Sequence, residues 1–292
     1  MKKVFVVSDI HGFYDKFIIA LNAAGFNNDD STHILMVLGD CFDRGTQAIE
    51  LCQYLSALKK EGRLILIRGN HEVLIRDCLK EIKRNRRPIN ANHYHNGTVL
   101  TIEQFVKDPI IVNKLERWFE LSDEEINIIN KSIKPCLNLT KDAINYIEFG
   151  DYIFVHGWIP CVIKDVFFDY EYIKIISDWR NLEADSKEWD NALWYNGGRA
   201  WEKKCREPGK TIVCGHRACS WGHSHLHRDR KEFPNKSLPN WINSFVPFYD
   251  DGIIMIDACT AYSGIVNVLV FEQDDDNSFT LIKENISDSQ IN

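Results

Sequence analysis

The chain has 292 residues, of which 45% are hydrophobic and 26% are charged, and its net charge at pH 7 is −7. This composition indicates a folded globular protein and excludes a largely disordered chain. The acidic balance excludes a general attraction to nucleic acid or anionic membranes, and no stretch reaches the roughly 18 apolar residues that a membrane-spanning helix needs. The start, "MKKVFVVSDIHG", is too short and too soon acidic for a signal peptide. We therefore expect a cytoplasmic protein with neither a nucleic-acid nor a membrane partner.

The N-terminal part of the chain alternates between strand and helix patterns. Short apolar runs at 3–7, 33–38 and 63–67 predict strands, and between them the segments 13–26 and 46–62 carry apolar residues at helical spacing. A strand, helix, strand, helix, strand order predicts parallel pairing with right-handed crossovers. Because the strands are apolar almost throughout, we expect an α/β fold whose sheet is covered on both faces.

The remainder of the chain divides into a helical stretch, a second set of strands and a tail. Residues 73–148 contain helical patterns, including one that begins with a capping box of Ser122 and Glu125, and we interpret them as a helical insertion that walls a cleft. We expect one domain over 1–285 and a frayed tail at 286–292. The nine cysteines contain no CxxC pair and are expected to be reduced thiols in the core, and the basic run at 83–88 reads as a solvated helix end. Further strands are predicted at 152–156, 211–216, 252–258 and 265–271.

Polar side chains follow five of these strands at their carboxyl ends, where ligands bind in open α/β sheets. They combine carboxylate, amide and imidazole groups without any thiolate, a set that suits Mn²⁺, Fe or Zn²⁺. Any one of them alone would more often be an ordinary core or turn residue, but five coincident strand ends favour a metal site. We expect Asp40 to bridge two ions because it follows the central of the three opening strands. The predicted ligands are Asp9 and His11 for one ion and Asn70, His156 and His216 for the other.

Three motifs carry a specific resemblance: "SDIHG" at 8–12, "GDCFDRG" at 39–45 and "RGNHE" at 68–72. In this order and near this spacing they resemble the signature motifs of the phosphoprotein phosphatase family of calcineurin-like metallophosphoesterases. That family includes serine/threonine phosphatases, the phage lambda phosphatase and bacterial symmetrical diadenosine tetraphosphatases. The later "VHGW" and "CGH" resemble its last two histidine ligands. The resemblance implies a β-sandwich with helices on both outer faces and a two-metal centre with the same six ligands. We expect Mn²⁺ as the metal, with Fe or Zn²⁺ as alternatives.

Two departures from the family pattern affect what can be carried over. Ser8 stands where many relatives have glycine, a small replacement that we expect to leave Asp9 in place. The C-terminal half matches little beyond the histidines, so the resemblance does not identify the substrate.

The predicted reaction is hydrolysis of a phosphoester. Two cations roughly 3.5–4 Å apart lower the pKa of a water, so that a hydroxide bridging them can attack phosphorus in line. Arg44 offers a planar, permanent charge for the phosphoryl oxygens. His71 follows a ligand without having to coordinate, so we expect it to protonate the leaving group while Asp43 orients its imidazole. On its own, "DRG" would read as a turn with a surface ion pair.

A second phosphate-binding arginine is harder to place. Arg199, in the aromatic-flanked segment "ALWYNGGRAW", is our candidate, and Arg180 and Arg217 are its competitors.

Other polar residues near the motifs are expected to have supporting or ordinary roles. His223, His225 and His227 alternate and could form an extra metal site on a strand, but we favour a polar loop at the cleft rim, and likewise for His93 and His95. Glu72 is expected to support the ligand loop by hydrogen bonding.

Three functions remain open. The favoured one is a serine/threonine phosphoprotein phosphatase, which would also act on small aryl phosphates. The alternative is a symmetrical bis(5'-nucleosyl)-tetraphosphatase, which would need a basic, aromatic-walled trench. A catalytically inactive binding protein on the same fold is a third possibility, disfavoured because the full ligand set and the acid pair have no use there. The sequence leaves the oligomeric state open.

Overall fold

The computed structural model describes residues 1–166, 169–274 and 278–285, so the predicted tail at 286–292 lies outside the described residues. The strands are β1 (Lys2–Val7), β2 (His33–Val37), β3 (Leu64–Leu66), β4 (Tyr146–Phe149), β5 (Tyr152–Val155), β6 (Cys161–Val166), β7 (Asp169–Ile175), β8 (Thr211–Cys214), β9 (Phe248–Asp250), β10 (Ile253–Met255), β11 (Val268–Gln273) and β12 (Phe279–Asn285). The helices are α1 (Tyr14–Ala24), α2 (Ala48–Lys60), α3 (Asn70–Asn85), α4 (Asn92–His95), α5 (Thr98–Val106), α6 (Pro109–Glu116), α7 (Asp123–Ser132), α8 (Lys134–Thr140), α9 (Lys187–Ala192), α10 (Gly197–Glu202), α11 (Cys219–Trp221) and α12 (Thr260–Ser263).

Two five-stranded sheets form the centre of the fold. The first has the order β12-β11-β1-β2-β3, with β1, β2 and β3 parallel as predicted and β11 and β12 antiparallel. The second has the order β4-β5-β8-β10-β9, in which β5, β8 and β10 run parallel and the two flanking strands run antiparallel. The sequence predicted the parallel strands because their apolar runs are buried, and it missed the half-exposed flanking strands and the β6-β7 hairpin.

The core has three layers of buried side chains, which confirm the α/β sandwich with helices on both outer faces. Between the sheets, Val4 and Val6 of β1 share one cluster with Phe154 and Val213 of the second sheet. A second cluster joins the outer face of the first sheet to α1, α2 and the helices from α3 to α8. A third joins the second sheet to the hairpin, α9 and α10. All nine cysteines are free thiols and eight are buried, as predicted.

The helices α3 to α8 occupy the stretch predicted as an insertion, with two different boundaries. Helix α3 begins at Asn70, three residues earlier than predicted, since Gly69 is its extended N-cap and donates its backbone N–H to the carboxylate of Glu72. At the other end, β4 begins at Tyr146. The capping box of Ser122 and Glu125 on α7 is confirmed, and the 83–88 run ends α3 with exposed basic side chains. The division into one domain with an insertion stays a prediction. Among the described helices, each is too short or too polar to cross a membrane.

Candidate metal centre

The carboxyl ends of five strands meet at one edge of the sandwich. Asp9 and His11 follow β1, Asp40 follows β2, and Asn70 opens α3 just after β3. His156 directly follows β5 and His216 lies two residues beyond β8. All of these side chains are buried, apart from His216, which is partly exposed. The structure therefore brings together the six residues that sequence reasoning selected as ligands.

The backbone at these strand ends is unusual. Asp9, His11, Asp40 and His216 all adopt positive φ, between 52° and 61°, and so do Asp43 and Arg44, at 72° and 65°. Residues other than glycine rarely adopt this region, although Asn, Asp and His do so more often than the rest, and a cluster of such residues persists where the surrounding structure enforces it. These tight turns change the direction of the backbone after each strand, so that the polar side chains converge on one place.

Asp40 is shared by two groups of potential metal ligands. One group contains His11, Asp40 and His71, the other contains Asp40, His156 and His216, and within each group the ligand atoms lie within 4.8 Å of one another. The arrangement fits the expectation that Asp40 lies between two ions. It also places His71 close enough to be a ligand, which is a second role for the residue predicted as the acid.

The tautomers of two histidines suit metal binding. Nδ1 of His11 lies 2.9 Å from the carbonyl oxygen of Phe42, which can only accept, so Nδ1 carries the proton. The lone pair of Nε2 then faces carboxylate oxygens of Asp9 and Asp40, each at 3.8 Å. His156 repeats this pattern, with Nδ1 2.7 Å from the carbonyl oxygen of Leu38 and Nε2 3.4 Å from Asp40 Oδ1. Lone pairs that converge in this way need a cation between them.

Asn70 completes the second group. Its Oδ1 lies 2.8 Å from Nε2 of His156 and 2.9 Å from Nδ1 of His216. An amide oxygen in this position is a neutral ligand beside two imidazoles. The donor set of oxygen and nitrogen atoms therefore fits divalent Mn²⁺, Fe or Zn²⁺.

Small residues make room around the two carboxylates. A Cβ on Gly69 would collide with Oδ1 of Asp40, and a Cβ on Gly215 would collide with the side chains of Ser8 and Asp9. The hydroxyl of Ser8 donates to Oδ2 of Asp9, which also accepts the backbone N–H of His216 at 2.9 Å. Ser8 thus holds Asp9 in place, as expected for this departure from the family motif.

The charges of the site are strongly coupled. Burial raises the pKa of Asp9 well above its usual value, and the carboxylate of Asp257 raises it further. Burial opposes the charge on Asp40 as well, but His156 and His71 hold its pKa well below the usual range. Burial also opposes the charge on His156, yet Asp40 raises its pKa to about 10. Positive charge beside Asp40 is therefore strongly favoured, and either a proton or a metal ion can supply it.

His71 and Asp43 form a buried pair beside this centre. Nδ1 of His71 lies 2.7 Å from Oδ2 of Asp43, while Nε2 lies 3.8 Å from Asp40 Oδ2. Burial opposes the charge on His71, but Asp40 and the hydrogen bond to Asp43 raise its pKa above the usual value. Nη2 of Arg44 lies 3.3 Å from Nε2 of His71, so the guanidinium and the imidazole face the same space.

Sequence reasoning missed the threonines that hold Asp43. The hydroxyl of Thr98 donates to Oδ2 of Asp43 at 2.9 Å, and that of Thr101 lies 2.7 Å from Oδ1. Both belong to α5, in the predicted insertion, and both are fully buried. The insertion therefore does more than wall a cleft, because it fixes the carboxylate that orients His71. No signal in the local sequence distinguishes these threonines from ordinary helix residues.

Asp257 is a second residue that the sequence analysis missed. It is buried, and burial raises its pKa to about 6, while the charge of Arg44 lowers it. Its Oδ1 accepts the backbone N–H of Cys259 at 2.6 Å. A signal was available, because Asp257 stands two residues beyond β10, as Asp9 does beyond β1 and His216 beyond β8. Asp257 therefore meets the same criterion, a polar residue at the carboxyl end of a strand, that selected the six predicted ligands.

Glu72 has the supporting role expected for it. Its carboxylate accepts backbone N–H groups of Gly69, Asp40 and Cys41 at 2.8, 3.0 and 2.9 Å. One buried side chain thus ties the loop after β2 to the start of α3.

The candidates for a second phosphate arginine occupy different surroundings. Arg180 forms ion pairs with Glu148 and Glu207 and stacks on Trp179, so these contacts already occupy its guanidinium. Arg217 follows His216 and pairs with Glu232 at 3.0 Å. Arg199 lies in the first turn of α10, where its backbone N–H bonds to the side chain of Asn196 at 3.1 Å. Its role as a phosphate ligand stays a prediction.

Two expectations about histidine-rich segments are wrong. His93 lies on the short helix α4 instead of in a polar loop, and it is buried, with Nε2 3.6 Å from Oε2 of Glu81. The segment Gly222–His227 is also helical. Its acidic neighbours are Asp229, which the sequence shows two residues further on, and Asp250, which only the fold brings close. In a helix, alternate histidines point in different directions.

Buried carboxylates and imidazoles around a shared aspartate, with an arginine and an Asp-His pair beside them, define a metal-dependent phosphoester hydrolase. Residues 2–230 match the family model described as calcineurin-like phosphoesterase, and the chain belongs to that family. The prediction of a metallophosphoesterase is thereby confirmed.

Two similar curated proteins are named as bis(5'-nucleosyl)-tetraphosphatases. Over 154 residues the chain is 35% identical to a symmetrical bis(5'-nucleosyl)-tetraphosphatase of Buchnera aphidicola subsp. Acyrthosiphon pisum, covering 50% of this chain and 50% of that protein. Over 109 residues it is 28% identical to an asymmetrical bis(5'-nucleosyl)-tetraphosphatase of Bacillus subtilis, covering 35% of this chain and 43% of that protein. The chain thus spans about half the length of these curated relatives, or less.

A solved structure extends the likeness to the whole fold. A protein serine/threonine phosphatase from Saccharomyces cerevisiae matches with a TM-score of 0.50 and 15% identity, covering 98% of this chain and 81% of that chain. At this identity the likeness shows the fold alone.

Proposed function

We propose that the protein is a two-metal phosphatase that hydrolyses phosphomonoesters, with phosphoserine and phosphothreonine in proteins as its substrates. Asp9 and His11 would hold one ion, Asn70, His156 and His216 the other, and Asp40 both. Mn²⁺ is the first choice, and Fe and Zn²⁺ are the alternatives. Bound metal ions supply Lewis acidity toward the phosphoryl oxygens and lower the pKa of a water molecule. The shared position of Asp40 and the converging imidazole lone pairs support this assignment.

Arg44 has the position of a phosphate-binding group. Its guanidinium lies beside His71 and its charge acts on Asp257, while the side chain is exposed, so it borders the site on the solvent side. A planar guanidinium can donate two parallel hydrogen bonds to phosphoryl oxygens. Arg199 is proposed as the second arginine, with Arg217 as the competing candidate.

The pair formed by His71 and Asp43 is the observation that carries the choice of substrate. When water adds to phosphorus and the P–O bond breaks, a serine or threonine substrate leaves as an alkoxide, which needs a proton. Nδ1 of His71 donates to Asp43, so in the protonated ring Nε2 carries the proton for the leaving group, whereas in the neutral ring Nε2 can accept from Nη2 of Arg44. A nucleoside diphosphate is a far better leaving group and has less need of an acid.

The second candidate is a symmetrical bis(5'-nucleosyl)-tetraphosphatase. The 35% identity to a relative of that name, over half of the chain, supports it. The same metal ions, Arg44 and His71 would act on a phosphoanhydride instead of an ester.

One comparison separates the two candidates. The Mn²⁺-loaded protein is assayed with a phosphoserine peptide, a phosphothreonine peptide and diadenosine tetraphosphate, and kcat/KM is measured for each. We expect the peptides to be the better substrates. A kcat/KM for diadenosine tetraphosphate at least a hundredfold above both peptides would establish the alternative instead.

A further inference from the structure

A second cluster of metal-binding side chains lies outside the centre around Asp40. After α11 the chain continues as a single π-helical segment, Gly222–His227, whose hydrogen bonds span five residues. Each turn of such a helix takes more than four residues, so His223 and His227 lie on one face. His225 points elsewhere and stacks on the ring of Trp221, with centroids 4.8 Å apart. The chain then turns back and brings Asp229 beside the two histidines.

His223 presents an unsatisfied lone pair to this space. Its Nε2 lies 3.2 Å from the carbonyl oxygen of Val246, an acceptor only, so Nε2 carries the proton of the neutral ring. Nη1 of Arg230 lies farther from Nε2, at 3.5 Å, and donates to the carbonyl oxygen of Asn243. Nδ1 is therefore left with its lone pair. It is buried, it has no hydrogen-bond partner among the described residues, and the side chain is only 5% exposed.

The group that faces this lone pair is a carboxylate. Oδ1 of Asp229 lies 3.8 Å from Nδ1 of His223. Two electron-rich atoms at this distance repel each other, and an ion or a proton between them removes the repulsion. Nε of Arg230 lies 3.4 Å from Oδ2 of Asp229, so Oδ1 is the oxygen that stays available to an ion. Burial and the charge of Arg230 lower the pKa of His223, which disfavours the proton.

His227 supplies a third ligand with an oriented ring. Its Nε2 lies 2.9 Å from Oδ2 of Asp250, and donation to that carboxylate leaves the lone pair on Nδ1. A carboxylate that accepts from the second nitrogen of an imidazole is the usual partner of a metal-bound histidine. The ring of Phe248 packs against both histidines, at 5.4 and 4.5 Å, and closes one side of the site.

We propose that His223, His227 and Asp229 bind a further divalent ion of the zinc class, in a site that shares no residue with the centre around Asp40. One ligand atom from each of the three lies within 4.8 Å of the others. Two imidazoles and one carboxylate, with a fourth position for water, match the ligands that Zn²⁺ takes in proteins.

The ion would fix the conformation of one segment. All three ligands, His223, His227 and Asp229, belong to the segment that follows His216, and Asp250 and Phe248 of the edge strand β9 contact its histidines. The same segment contains Glu232, the partner of Arg217. Metal binding would therefore stabilise the segment that borders the proposed catalytic centre in its present packing against the second sheet.

The test counts bound zinc per chain. The full-length protein is stripped with a chelator, dialysed against Zn²⁺ and measured by elemental analysis. His227→Gln and Asp229→Asn remove ligands whose side chains are 41% and 47% exposed, so folding should survive. His225→Gln is the matched control, because it removes a histidine of the same helical segment that points away. We expect the two ligand variants to bind one zinc fewer than wild type, and the control to bind the same number.

A second measurement separates this site from the catalytic one. Asp40→Asn removes the shared ligand of the proposed centre, and we expect it to retain one zinc that His227→Gln then removes. If both ligand variants bind as much zinc as wild type, or if Asp40→Asn binds none while still folded, the site does not exist. If one ligand variant loses its far-ultraviolet circular dichroism together with its zinc, that variant is unfolded. The zinc content of the other ligand variant then tests the site.

Discussion

Nδ1 of His71 lies 2.7 Å from Oδ2 of Asp43, inside a pocket where both side chains are almost fully buried. This contact fixes the ring so that Nε2 points toward Arg44 and Asp40. The carboxylate that holds the ring is in turn held by two hydroxyls from α5. The proposed acid is thus positioned by a chain of hydrogen bonds that begins in the helical insertion.

Replacing His71 should remove proton donation. For His71→Asn we expect kcat to fall by about 10²–10⁴ on alkyl phosphates, and much less on aryl phosphates that carry electron-withdrawing groups. The slope of log kcat against leaving-group pKa measures the effect, and it should become steeper. Metal content is the control. If the variant loses metal, His71 is a ligand, as its place beside His11 and Asp40 also allows.

The hydroxyl of Thr101 should matter through Asp43 alone. Thr101→Val keeps the shape of the side chain but removes the donor to Oδ1 and the acceptor of the Asp43 N–H. A hydrogen bond to a charged group contributes about 1.5–3 kcal/mol, so we expect kcat to fall by roughly tenfold or more with KM little changed. Thr101→Ser keeps the hydroxyl and should retain most of the activity. Equal losses in the two variants would indicate a packing effect instead.

Arg44 should act on affinity for phosphate. Losing a charge-assisted hydrogen bond of about 1.5–3 kcal/mol corresponds to a weakening of roughly 10- to 100-fold. We expect Arg44→Ala to raise the inhibition constant of inorganic phosphate by this factor while metal content stays the same. Arg44→Lys keeps the charge but not the planar guanidinium, so its inhibition constant for phosphate should lie between those of wild type and Arg44→Ala. Arg199→Ala and Arg217→Ala are measured in the same assay. The second phosphate-binding arginine is the one whose replacement also raises the inhibition constant of phosphate.

Asp40 should be required by both ions at once. In Asp40→Asn we expect the metal content of the proposed centre and the phosphatase activity to be lost together, because a neutral amide cannot balance two divalent charges. Elemental analysis in parallel with activity tests this. Glu72→Gln is the useful comparison, since the carboxylate of Glu72 accepts three backbone N–H groups, and we expect it to lower stability more than metal content. Full metal loading in Asp40→Asn would contradict the shared-ligand assignment.

The site could be predicted from sequence as far as it follows from the strands. Apolar runs revealed β1, β2, β3, β5 and β8, and parallel strands must deliver their carboxyl ends to one edge. Asp9, Asn70 and His216 were found in this way. Asp9 and His216 are hydrogen-bonded in the structure although 207 positions separate them in the sequence.

The parts that could not be predicted come from tertiary packing. Thr98 and Thr101 reach Asp43 only because α5 folds over the loop after β2, and no local pattern encodes that contact. Likewise, Asp250 approaches His227 from an edge strand too short and too exposed to be recognised. Asp257 was different, because it stands near the carboxyl end of the strand predicted at 252–258, and this visible position was not used.

Glu103 offers a test of the electrostatics of the insertion. Burial in α5, together with nearby Glu116, raises its pKa to about 7. The folded state therefore binds this proton more tightly than the unfolded state, so stability falls as pH rises from about 4.5 to about 7. For Glu103→Gln we expect little change in the free energy of unfolding at pH 4.5. At pH 8 we expect a gain of about 1 kcal/mol, after allowance for the exposed part of the side chain. Urea unfolding at the two pH values measures both. Glu116→Gln should give a smaller gain in the same direction, and an equal effect of Glu103→Gln at both pH values would show that the carboxyl titrates normally.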